Sequence, residues 1–263
     1  MKKISILLSV AAMLGASGCK DNSNSTDSQS VSRSLPTTQE AMPVIPAAPA
    51  KLVDYTWPDV SESEPIELAD DALAVNYYVI LDGSGSMESR KCAGNSTKME
   101  VAKQALAAFS GAIPATANLG MLAFDQRGIN ERLPLGQQNR PAFIDEVNRV
   151  TATSSTPLKT ALNKAFKKLT EQGKKQLGYG EYHLVVVTDG DASVGENPTH
   201  MVDEIYQDSP VILHTIGFCI DQRHSLNQPG KTYYKSADNP EALKAGLENV
   251  LAELDAFGIN EFN

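Results

Sequence analysis

Five oxygen-bearing side chains in three separate stretches carry the chemistry of this sequence. Asp82-Gly83-Ser84-Gly85-Ser86 closes a short apolar run, Thr156 stands in Ser154-Ser155-Thr156-Pro157-Leu158, and Asp189 in Thr188-Asp189-Gly190. The candidate ligands Asp82, Ser84, Ser86, Thr156 and Asp189 all offer oxygen, and none offers imidazole or thiolate. Such a set suits a hard cation: Mg²⁺ first, with Mn²⁺ or Ca²⁺ as alternatives. The glycines let the backbone turn tightly and come close to a bound ion. Each stretch also has a plain structural reading: a strand-ending turn, a helix N-cap, a second turn. Three such coincidences at three loop ends are less economical than one site.

Other chemistries fail on particular residues. A dinucleotide fingerprint needs a third Gly at position 88, which is Glu88, and Asp82 would repel the phosphate. A nucleophile elbow around Ser193 fails because its first position is Asp191. His183, His200, His214 and His224 show no metal-ligand spacing. His183 and His214 lie in or beside strands and read as structural. His224 sits in a polar loop over 221–231 and reads as solvated, a partner contact being the other reading. The chain is therefore expected not to be an enzyme. Formal net charge is −9, with 23 Lys+Arg against 32 Asp+Glu and no basic run, which argues against nucleic acid as a partner. With 41% hydrophobic residues the chain has enough apolar surface for a folded core, and 3 Cys and 4 His are too few for a zinc cluster or a disulfide framework.

The elements that must position the five ligands follow from periodicity. Tyr77–Leu81, Leu119–Phe124, Leu184–Val187 and Val211–Phe218 are apolar, β-rich runs, and Thr232-Tyr233-Tyr234 is a shorter one. Helical spacing appears in Met99, Ala102, Leu106, Phe109 and Ile113, from Pro157 through Leu169, over 198–207, and from Leu243 to Leu254. Apolar strands alternating with amphipathic helices predict an α/β fold, a doubly wound and mostly parallel sheet with helices on both faces. Ligands bind such sheets at the C-terminal ends of the strands, where the Asp82–Ser86 and Asp189 stretches fall, while Thr156 stands directly before a helix.

Over roughly residues 76–254 the sequence resembles the von Willebrand factor type A (VWA) family. Its metal-ion-dependent adhesion site is written Asp-x-Ser-x-Ser, a Thr often followed by Pro-Leu, and an Asp often within Thr-Asp-Gly, and all five positions match. Ser155 replaces the Gly often found before the Thr, outside the ligand set. The resemblance implies that Ser84 and Ser86 touch the metal, Thr156 touches it directly or through water, and Asp82 and Asp189 act mostly through waters. Neutral hydroxyls leave the ion's charge poorly quenched. The site is thus expected to accept an Asp or Glu carboxylate from a protein partner.

The N-terminus reads as an address. Met1-Lys2-Lys3 precedes an eleven-residue apolar stretch, Ile4 to Leu14, too short to span a bilayer but suited to a signal peptide. Gly15-Ala16-Ser17-Gly18-Cys19 resembles a bacterial lipobox, implying cleavage after residue 18 and a lipid on Cys19. By resemblance to enteric sorting, Lys20 points to the outer membrane of the cell envelope. The expected organisation is a signal peptide over 1–18, a Ser/Pro/Ala-rich disordered tether over 19–50, an acidic segment over 51–75, the VWA domain over 76–256 and a tail over 257–263. Tyr55 and Trp57 leave open whether the acidic segment docks on the domain.

If Cys19 carries lipid, Cys92 and Cys219 remain as an even pair in an oxidising compartment. In the family's strand order both emerge at the metal-bearing end, one strand apart, so a disulfide is expected, with two free thiols as the alternative. Two functions remain open. One is adhesion or envelope scaffolding through the metal, and the other is a structural or regulatory subunit whose metal only stabilises the fold.

Overall fold

The computed structural model describes residues 56–59, 65–153 and 155–255. The chain divides into two compact units, Met1–Pro46 and Ala47–Asn263, and only the second contains described residues. The signal peptide, Cys19, the tether and the tail over 257–263 lie outside them.

A six-stranded sheet has the order β3-β2-β1-β4-β5-β6. The strands are β1 Val75–Asp82, β2 Asn118–Asp125, β3 Gly128–Gly136, β4 Glu181–Thr188, β5 Ile212–Phe218 and β6 Tyr233–Ala237. All pairings are parallel except β2 with β3, which is antiparallel at the sheet edge. The helices are α1 Lys98–Ala112, α2 Arg140–Arg149, α3 Leu158–Lys175, α4 Thr199–Asp208 and α5 Pro240–Asp255. This is the expected doubly wound α/β fold.

β1 is the hub, and its alternation explains why. Tyr77, Val79 and Leu81 enter one core with α1, α2 and α5, while Tyr78 and Ile80 enter the other with α3 and α4. All five are fully buried, as expected of a central parallel strand covered on both faces. Each aliphatic side chain so buried stabilises the fold by ~1.5–3 kcal/mol. The chain first winds from β1 to β2 and then returns to β4 on the other side of β1. That reversal opens the crevice where ligands bind in such sheets.

Two elements carry no sequence signal strong enough to predict them. β3 is half-buried along most of its length and contains Pro134, which lacks an N–H and is tolerated because the strand is an edge. α2 buries only Phe143 and Val147, one turn apart, too few residues for a clear period. The acidic segment does dock in part. Trp57 lies across α3 where Gly173 leaves room, since a Cβ there would stand 2.4 Å from the indole. Its Nε1 donates to Thr170 Oγ1 at 3.2 Å, and its ring meets Tyr182 edge-on at 4.8 Å.

Candidate metal centre

The turn after β1 is clamped from two sides. Gly83 N donates to Phe124 O and Gly83 O accepts from Thr153 N, both at 2.9 Å, tying the Ser-containing turn to β2 and to the loop that leads to Thr156. A side chain at position 83 would fall 2.4 Å from Phe124 O, so only glycine fits.

Asp82 points into the protein and is fully buried. Its Oδ1 accepts from Ser84 N at 2.7 Å and its Oδ2 from Thr188 Oγ1 at 2.5 Å. Burial pushes its carboxyl up to about 6, against hydrogen bonds from Ser84 and Thr188 that pull it down. Beyond Ser84 the chain makes a short 3₁₀ turn, Gly85–Glu88, anchored by the buried Met87. Ser84 occupies the cap position of that turn without capping it, so its hydroxyl is free to face the cluster.

The hydroxyls and carboxylates then converge. Ser84 Oγ and Ser86 Oγ are 2.9 Å apart, and Ser86 Oγ donates to Asp189 Oδ1 at 2.7 Å, with Ser84 Oγ at 3.4 Å from the same oxygen. Thr156 belongs to the same place. Its N donates to Ser193 Oγ at 2.9 Å and its O accepts from Ser193 N at 3.0 Å, which locks its loop to the one after β4. Pro157, not Thr156, stands at the cap of α3, and the Thr156 side chain caps nothing there. Gly190 lies between the parts: a Cβ on it would be 3.4 Å from Ser86 Oγ and 3.9 Å from Thr156 Oγ1.

All five residues predicted from sequence therefore meet around the ends of β1 and β4. Their side chains sit deeper than loop positions suggest: Ser84, Thr156 and Asp189 are 3%, 7% and 6% exposed. The donor chemistry fits a hard cation, with two carboxylates, three hydroxyls and no softer group. Among the described residues no group of three or more His, Cys, Asp or Glu is arranged to hold a metal, this cluster having two carboxylates beside its hydroxyls.

Three participants were not legible as part of the site. Thr188 fixes Asp82, as above. Lys98 Nζ stands 2.8 Å from Asp189 Oδ2, both side chains buried. His224 differs from its expected solvated state: it is 3% exposed, its Nδ1 accepts from Leu226 N at 3.2 Å, and its Nε2 lies 3.0 Å from Gly190 O. With Nδ1 accepting, Nε2 carries the proton and donates to the Gly190 carbonyl. His224 thus braces the loop that bears Asp189.

Cys92 and Cys219 are joined in a disulfide with Cα atoms 5.9 Å apart, across the strand order β1-β4-β5. Both have positive φ, 62° and 63°. Beside the disulfide lies a cavity of about 460 Å³ lined by Lys91, Asp191, Cys219, Ile220, Asp221 and Arg223.

Residues 77–191 match the family model for the von Willebrand factor type A domain. Among curated proteins, the uncharacterized protein YwmC of Bacillus subtilis (strain 168) is 29% identical over 156 residues, spanning 54% of this chain and 66% of YwmC. Among solved structures, a von Willebrand factor type A protein from Catenulispora acidiphila has a TM-score of 0.57 at 17% identity, covering 68% of this chain and 42% of that one. An aerotolerance-related membrane protein from Bacteroides fragilis gives 0.52 at 16% identity, covering 68% and 100%. The manganese-loaded TRAP protein of Plasmodium vivax gives 0.50 at 19%, covering 65% and 71%. At these identities the likeness to solved structures is one of fold.

Proposed function

With a von Willebrand factor type A domain as the premise, we propose that this chain is a lipid-anchored envelope protein that binds a protein partner through a divalent cation. Ser84, Ser86 and Thr156 would hold the ion with their hydroxyls, and Asp82 and Asp189 would support it. The ion, Mg²⁺ before Mn²⁺ or Ca²⁺, supplies positive charge that a partner's Asp or Glu carboxylate completes. The observation that carries this reading is the convergence of Ser84 Oγ, Ser86 Oγ and Asp189 Oδ1 within 2.7–3.4 Å of one another, from loops far apart in sequence. The manganese in the TRAP relative and the membrane setting of the Bacteroides fragilis relative agree with it. The anchor would be Cys19, in the outer membrane; no helix among the described residues is long and apolar enough to cross a membrane.

We read the chain as a binding module and not an enzyme. Both His224 nitrogens are engaged by backbone groups, and His183 and His214 bond to each other in the lower part of the sheet. Neither arrangement offers a base to a Ser hydroxyl.

A second reading has its own support. The ligand cluster is closed on itself by hydrogen bonds, and four of its five residues are buried with Ser86 alone exposed, as befits an ion that only stabilises the fold or an envelope assembly. Calorimetry with Mg²⁺ and Mn²⁺ on wild type, Asp82→Asn and Thr156→Val, paired with pull-down from envelope extract with and without EDTA, separates the two. Binding lost in both variants and a partner released by EDTA are expected. Metal binding with an EDTA-resistant partner supports the second reading, and equal affinity in all three proteins defeats both. Mass spectrometry of the mature N-terminus tests the anchor, with a diacylated Cys19 expected; a mature chain starting elsewhere and carrying no lipid overturns it.

A further inference from the structure

One charged group of the site lies outside the five-residue set. Lys98 is the first residue of α1, where an ammonium works against the helix dipole, and its side chain is only 7% exposed. A buried ammonium is stable only against a counter-charge. That charge is Asp189, whose Oδ2 is 2.8 Å away on a side chain with no exposure. Asp189 divides its oxygens accordingly: Oδ1 faces Ser86 and Ser84, and Oδ2 faces Lys98. Among the described ion pairs no other cation reaches Asp82 or Asp189.

We propose that Lys98 is a tethered counter-ion of the metal centre: it positions Asp189 by its outer oxygen, keeps the ligand cluster assembled without a divalent ion, and leaves the ion-loaded site one charge more positive toward a partner's carboxylate. The proposal rests on the metal-binding reading above and deepens it. Asp82 and Asp189 together bring two negative charges, so a divalent ion alone would leave the site neutral. With Lys98 the loaded site is net positive. The lysine thereby trades affinity for the cation against affinity for the anion that follows it. A purely structural metal site gains nothing from a charge that repels its ion, whereas a site that must capture a carboxylate does. The local sequence supports the placement: the Thr97–Glu100 capping box fixes the start of α1, and Lys98 N donates to Ser89 O at 2.9 Å, holding the helix against the turn that carries Ser84 and Ser86.

The test compares wild type with Lys98→Met, Lys98→Arg and Lys98→Met/Asp189→Asn. In calorimetry, Lys98→Met is expected to bind Mg²⁺ at least tenfold more tightly than wild type, and its Mg²⁺-loaded form to bind acetate at least threefold more weakly. Lys98→Arg, which keeps the charge, should resemble wild type in both. In EDTA, Lys98→Met should melt roughly 5 °C lower, with much of the loss recovered when Asp189→Asn removes the unpaired carboxylate. If Lys98→Met fails to fold, Lys98→Gln, a donor without charge, carries the same comparison. Wild-type binding with unchanged or weaker Mg²⁺ affinity in Lys98→Met overturns this proposal alone. Absence of Mg²⁺ binding by wild type overturns the metal-binding reading, and this proposal with it.

Discussion

At the lower end of β1, Asn76 donates its side-chain amide to Gln176 Oε1 at 2.8 Å and to Ala74 O at 2.9 Å, while its own Oδ1 accepts from Asn118 at 2.9 Å. Gln176 in turn donates to Ala74 O at 2.9 Å and Ala72 O at 3.1 Å. At the upper end of the same strand, Asp82 is equally buried, but it belongs to a cluster of carboxylates and hydroxyls with one ammonium. Both ends bury polar groups fully. The lower network is neutral, and its amide donors all find oxygen acceptors, which is how interior polar groups are normally kept. The upper cluster sets two carboxylates against one ammonium, so that it keeps a net negative charge and has affinity left over for a cation. Burial of polar atoms therefore does not mark a functional site; an excess of one kind of polar atom does.

The upper end also depends on a covalent tie that the lower end lacks. Cys92 and Cys219 close a separation of 127 residues, and a loop of that size corresponds to about 4–5 kcal/mol of chain entropy. Replacing both with Ser should lower stability by about 4 kcal/mol in urea unfolding under oxidising conditions. It should also loosen the metal end preferentially in hydrogen exchange. Uniform loosening at both ends would break the comparison.

Asn76→Leu attacks the lower network. It leaves Gln176 and Asn118 with buried, unmatched groups, at a cost of about 3 kcal/mol. Divalent-ion affinity should stay within about twofold of wild type, because the network is structural. A large change in affinity would show that the two ends are coupled.

Asp82→Asn makes the opposite exchange. Loss of one carboxylate should weaken Mg²⁺ binding by at least about thirtyfold. In EDTA the same variant should be as stable as wild type or more stable by about 1 kcal/mol, since an ionised carboxylate no longer has to be buried. Calorimetry and urea unfolding on one preparation read both quantities.

The smallest effect belongs to the imidazoles on the lower part of the sheet. His183 Nδ1 and His214 Nε2 are 3.1 Å apart, between the rings of Tyr77 and Tyr233 and with Glu181 beside His183. Burial first, and then the neighbouring His183, hold His214 well below its usual 6.5. A base depressed in the folded state favours folding above its unfolded value, and that stability is lost as pH falls below 6.5. Stability should drop by about 1 kcal/mol between pH 7 and pH 5.5 in wild type. His214→Phe should flatten that dependence.

Much of this protein was legible without coordinates because its information is local. Apolar runs of strand length and helical spacing at Met99–Ile113 and Leu158–Leu169 define parallel strands and their covering helices, and a parallel sheet places its ligands at one end. Asp82, Ser84, Ser86, Thr156 and Asp189 were found because two glycine-containing turns at strand ends and one loop before a helix carry the same donor type. Less regular pieces were not visible. β3 has an edge strand's mixed exposure, α2 has a two-residue buried face, and Trp57 docks through the absence of a side chain on Gly173.

Sequence could not assign Lys98, His224 or the Asn76–Gln176–Asn118 network, since each is a common residue whose role depends on a partner distant along the chain. Lys98 and Asp189 are brought together only when α1 and the end of β4 pack beside β1. The loop between β5 and β6, folding over the end of β4, brings His224 to the Gly190 carbonyl. Residue type and spacing set which atoms are available to bind an ion. Tertiary structure decides which charges are buried beside them, because burial, by removing solvent, turns a lysine at the start of a helix into a fixed charge of the site.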